Sequence, residues 1–73
     1  MKQLCEELQN EFRDIAICTI SPSSDSIYIL PSRYGKFFTQ LDVLKITQYC
    51  LNHNLGFYFD CNPGRIVVYH GTI

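Results

Sequence analysis

The residues of this sequence that could do chemistry are four cysteines (Cys5, Cys18, Cys50, Cys61), two histidines (His53, His70) and a few carboxylates. A structural zinc site needs closely spaced soft or imidazole ligands, and its strongest sign is a pair of C-x2-C motifs, which the chain lacks. The nearest approach is Cys50 with His53, one helical turn apart, to which the fold would have to add Cys61 or His70. We expect no metal site. His53 is expected to sit near a helix C-terminus, where it interacts favourably with the dipole. Cys61 and His70 would share one face of a hairpin. That face is expected to be the core, whereas a catalytic thiol needs a partly open, electropositive setting. Glu6, Glu7 and Asp60 have the pattern of a solvated helix face and a strand-edge charge. Gly35, Gly56, Gly64 and Gly71 are isolated, so no glycine-rich loop cradles a phosphate. The expectation is a protein that is not an enzyme, with no catalytic residues and no cofactor.

Recognition is the remaining class, and tyrosines carry it. If Asn62 faces Arg65 across a hairpin, Tyr58 and Tyr69 lie opposite each other, with Asp60, Arg65 and Val67 near them. Tyr28 joins them if Ile27 and Ile29 point at the helices. Arg33, Tyr34 and Lys36, in the loop Arg33-Tyr34-Gly35-Lys36-Phe37-Phe38, would extend the surface, while Phe37 and Phe38 would plug the end of the core. Such a face can anchor a protein partner or stack single-stranded nucleic acid, with Arg33, Lys36 and Arg65 meeting phosphates. It can also be plain cross-strand pairing. Six basic and seven acidic side chains, interspersed to a net charge of −1, disfavour nucleic acid. The expected function is a protein-binding module of adaptor or inhibitor type.

The elements that must position these residues follow from periodicity. Leu4, Leu8 and Phe12 at i, i+4 and i+8 predict an amphipathic helix from Lys2 to Arg13. Ile15–Ile20 reads as a strand, closed by Ser21-Pro22-Ser23-Ser24-Asp25, and Ser26–Leu30 as a second that Pro31 ends. Thr39-Gln40-Leu41-Asp42 has capping-box spacing and starts a helix over Gln40–Asn52, with Phe38 available as a staple against Val43. That helix is expected to bury Leu41, Leu44, Ile46, Thr47, Cys50 and Leu51, and to end at Asn54 or Gly56. Leu55–Cys61 and Ile66–His70 flank Asn62-Pro63-Gly64-Arg65 as a hairpin. A Pro-Gly pair does not suit a two-residue hairpin, so a longer loop is open. The expected fold is α+β in αββαββ order, with two helices packed on one face of a mainly antiparallel four-stranded sheet.

Seventy-three residues make one small domain, and 47% hydrophobic content suffices for a core but leaves little stability to spare. The longest apolar runs are too short to span a bilayer. The acids at Glu6 and Glu7 stand where a signal peptide needs apolar residues, which predicts a soluble, cytoplasmic chain with reduced thiols. By sequence parity Ile15, Ile17, Ile27 and Ile29 would share one face and Cys18, Ile20 and Leu30 the other. A first hairpin apolar on both sides predicts a homodimer through the sheet face or an edge strand.

Overall fold

The computed structural model describes residues 1–32, 37–60 and 64–71. Two helices and four strands run in the order α1 (Lys2–Phe12), β1 (Ala16–Ile20), β2 (Ile27–Pro31), α2 (Gln40–Asn52), β3 (Leu55–Asp60) and β4 (Arg65–His70). The strands form one antiparallel sheet in spatial order β1-β2-β4-β3, an α+β architecture. The second hairpin is thus inserted so that its last strand lies inside the sheet and β3 forms the edge.

Local chemistry fixes where the elements start and stop. The Thr39 hydroxyl accepts from the Asp42 amide at 3.1 Å, and the Thr39 amide donates to the Asp42 carboxylate at 3.2 Å, closing the expected capping box. The shorter Asp side chain does reach back, and Asp42 is 1% exposed. Past the C-cap at His53, Asn54 takes a left-handed φ of 57°, while Gly56 lies inside β3 rather than ending the helix. In the first hairpin Ser21 is buried, and its amide and hydroxyl bond Ser26 across the turn while Ser24 takes a φ of 63°.

Register decides which side chains meet. Cys18 pairs with Ile29 and Ile20 with Ile27, so even-numbered residues of β1 share a face with odd-numbered residues of β2. The parity expected for this hairpin is therefore corrected: Ala16 and Cys18 are buried with Ile27 and Ile29, and Ile17 turns to the other face at 49% exposure. The loop length sets the sum of paired residue numbers, and an odd sum mixes the parities. One core cluster joins Leu8 and Phe12 of α1, Ile46 and Cys50 of α2, and the strand residues Ala16, Cys18, Ile27, Ile29, Leu55, Ile66 and Val68. Phe12 meets Tyr49 edge to face at 5.4 Å, linking the two helices.

Helix α2 does not bury the stripe the sequence suggested. Asp42, Ile46 and Cys50 face inward, whereas Leu41, Leu44 and Leu51 are 60–65% exposed. The helix is apolar on two sides, and the capping bond to Asp42 helps turn the other side to the core. Phe38 packs against the core as expected, but Phe37 is exposed. Among the described residues no helix is long and apolar enough to cross a membrane.

The edge strand β1 is closed by a side chain. The Gln9 carboxamide donates to the Ala16 carbonyl at 2.9 Å and accepts from the Cys18 amide at 2.8 Å, filling the place of a neighbouring strand. The Cys5 thiol continues the row by donating to the Cys18 carbonyl at 3.5 Å. Replacing Gln9 by Ala removes two partners from a part-buried edge and should cost about 1–2 kcal/mol, read as a lower urea midpoint. Gln9→Glu keeps the acceptor but sets a carboxylate against the Ala16 carbonyl. It should be worse than Gln9→Ala at neutral pH and recover in acid, as the protonated carboxyl regains a donor.

Candidate functional site

The second hairpin places the tyrosines. Asp60 pairs with Arg65, so the register is shifted by two residues from one with Asn62 opposite Arg65. A shift of two preserves the faces but changes the pairs. Tyr58 faces Val67, and Tyr69 faces Gly56; the two tyrosines are diagonal neighbours rather than opposite ones, with ring centroids 6.2 Å apart and planes tilted by 46°. Tyr28 also pairs with Val67, from the other side. Thr19, Tyr28, Val67 and Tyr58 therefore form one row across all four strands, on the face opposite Ile27, Ile29, Ile66 and Val68.

The side chains on this face are held in place. The Arg65 guanidinium lies 3.8 Å from the centre of the Tyr28 ring, and its Nη2 and Nε meet the Asp60 carboxylate at 2.9 and 3.0 Å. Tyr69 lies across Gly56, where a Cβ would overlap its ring. Beneath this layer Val67 is only 1% exposed, while Tyr58 and Tyr69 keep 54% and 37% of their surface in solvent and Ile17 extends the apolar area. At one end a shallow hollow separates Tyr58 and Tyr69 from the Ser24–Ser26 turn. There the Asp25 carboxyl is held below the usual range, chiefly by the bond from the Ser23 hydroxyl.

Of the residues expected to bind, Tyr28, Tyr58, Arg65 and Tyr69 stand together on this face. Arg33, Tyr34 and Lys36 lie outside the described residues, as does Cys61. Sequence reasoning missed the parts played by Val67 and Gly56. A glycine inside a strand is the usual sign that another group comes close, and it marks the seat of Tyr69.

The three described thiols, Cys5, Cys18 and Cys50, are poorly suited to nucleophilic chemistry. Burial pushes the Cys18 thiol up to about 12, with Cys5 adding to the rise, and the Cys50 thiol up to about 11. Cys5 is also raised, by burial first and then by Glu6. His53 stacks on Tyr49 at 4.0 Å. Among the described residues no three His, Cys, Asp or Glu side chains are grouped to hold a metal ion.

No protein-family model, curated protein or solved structure matches this chain.

Two outcomes follow from this geometry. Gly56→Ala forces the Tyr69 ring to move and should destabilise the protein by about 1–3 kcal/mol, with loss of the Tyr58–Tyr69 contact in NMR spectra. Unfolded thiols ionise near their ordinary value of 9.0, whereas folded Cys18 and Cys50 hold their protons to about 12 and 11. Their contribution to stability is thus complete below pH 9 and is lost as pH rises from 9 toward 12. Urea midpoints across that range should fall, and the fall should shrink in a Cys18→Ala, Cys50→Ala variant.

Proposed function

We propose that this chain is a non-enzymatic protein-binding module, of adaptor or inhibitor type, that docks the tyrosine-bearing sheet face onto a larger protein. In this reading both helices cover the face carrying Ile27, Ile29, Ile66 and Val68, and the other face is left for the partner. The observation that carries it is the layer over Val67: a fully shielded valine beneath tyrosines that remain 37–54% exposed. Tyrosines whose rings are already fixed by neighbours lose little freedom on binding, and they are enriched among the residues that dominate interface energies. A cytoplasmic setting with reduced thiols belongs to the same reading, and Cys5, Cys18 and Cys50 are free.

Edge recognition is a lesser route. The outward backbone groups of β1 already bond Gln9 and Cys5, so strand addition there would have to displace them. Strand β3, at the opposite edge, is the better acceptor of an added strand. Single-stranded nucleic acid, the alternative, loses support from the same face. Arg65 is committed to Asp60 and covers the Tyr28 ring on which a base would stack.

The test is a double substitution, Tyr58→Ala with Tyr69→Ala, in a capture experiment from lysate of the source cells. The variant should keep the wild-type far-UV spectrum and lose the captured protein. Undiminished capture would remove the face from the account. An oligonucleotide titration at low salt should show no binding that weakens with added salt.

A further inference from the structure

The two ends of the tyrosine face are made of the same parts, and only one of them holds a cation. At the Asp60 end the Arg65 guanidinium lies 3.8 Å from the centre of the Tyr28 ring and 2.9 Å from the Asp60 carboxylate, so a ring and an acid together seat a planar cation. At the other end Tyr58 and Tyr69 line one side of a hollow of about 600 Å³, and the turn carrying Ser24, Asp25 and Ser26 lines the other. Here there are two rings and an acid. Among the described residues no arginine or lysine lines this hollow.

The Asp25 carboxylate is uncommitted in charge. The Ser23 and Ser21 hydroxyls donate to its Oδ1 at 2.5 and 3.4 Å, and both donors are neutral. Among the described residues no ion pair engages it. Met1 and His70 complete the rim, yet the carboxyl is held below its usual range by hydrogen bonds, that of Ser23 first, and not by a neighbouring cation. It is therefore ionised at neutral pH, and its charge is unanswered.

We propose that the hollow seats an arginine side chain of the partner protein, stacked on the Tyr58–Tyr69 pair with its charge toward Asp25. This seat rests on the reading of the tyrosine face as the docking surface, and it specifies the residue that enters. A flat guanidinium is more weakly hydrated than an ammonium and stacks on aromatic surface, which selects arginine over lysine. Arg65 on Tyr28 is the same contact made within the chain. Because the turn is exposed, Asp25 contributes selectivity more than strength. A single arginine should bind in the millimolar range, with the rest of the affinity supplied by the partner's contacts along the face.

NMR titration of the whole chain with N-acetyl-arginine amide tests this seat without the partner. Shifts should concentrate at the Tyr58 and Tyr69 rings and the amides of residues 24–26. N-acetyl-lysine amide should bind at least about threefold more weakly, and N-acetyl-citrulline amide, which has the same shape without the charge, should leave these signals in place. Asp25→Asn keeps an oxygen for Ser23 and removes the charge, so it should retain the folded spectrum and weaken arginine binding about three- to tenfold. The proposal is overturned if citrulline or lysine amide binds as well as arginine amide, or if Asp25→Asn leaves the arginine affinity unchanged. Such a failure leaves the docking face standing so long as Tyr58→Ala with Tyr69→Ala abolishes capture. Undiminished capture by that double variant would remove the face, and the arginine seat with it.

Discussion

Ile66, Val67 and Val68 are three consecutive strand residues with no more than 1% exposure, and a strand buries consecutive residues only when both its faces are covered. Much of the structure answers that constraint. Strand β4 is paired on both sides, by β2 and β3, so its backbone is satisfied within the sheet. Ile66 and Val68 enter the main core with residues from both helices, while Val67 has the opposite parity and stands outside that cluster. Among the described residues, Tyr28 and Tyr58 stand in its own row, and Arg65 and Tyr69 stand on the same face before and after it on β4.

A layer of side chains differs from a helix layer in that the groups that shield the valine also form the outer surface, which in the proposed reading meets the partner. Arg65 shows how the two demands are reconciled. Its guanidinium is neutralised by Asp60 and rests on Tyr28, which closes one half of the face and commits its charge. The other half, Tyr58 and Tyr69, is supported from below by Val67 and Gly56 but not capped from above. Helix α2 shows a similar division. Helix α2 supplies Ile46 and Cys50 to the core and presents three leucines outward, so this small domain has two distinct apolar surfaces on different elements.

Much of this was legible in the sequence, and the limits have definite causes. The bounds of α2 follow from the Thr39–Asp42 capping box and from an asparagine suited to positive φ, both local signals. The faces of β3 and β4 follow from alternation alone, and they survived a two-residue error in register because side-chain period is two. The partners of Tyr58 and Tyr69 were not legible, since they depend on how many residues the turn consumes. In the first hairpin an odd pairing sum reversed the expected parity, which moved Cys18 into the core and Ile17 out of it. The orientation of α2 was hidden because leucines on one side and Ile46 and Cys50 on the other give no single apolar stripe. Strand order is a property of the whole sheet, and no local pattern specifies that β4 lies between β2 and β3.

The central claim is that the tyrosines covering Val67 in the free protein are the ones that meet a partner. Solvent paramagnetic relaxation, measured by NMR on Val67 methyls and tyrosine rings with a soluble gadolinium chelate, tests it most directly. The account predicts that the Val67 methyls stay protected while the Tyr58 and Tyr69 rings relax strongly, and that the ring effect disappears when the partner is added. Strong relaxation of the Val67 methyls in the free protein, or rings that remain accessible in the complex, would contradict it.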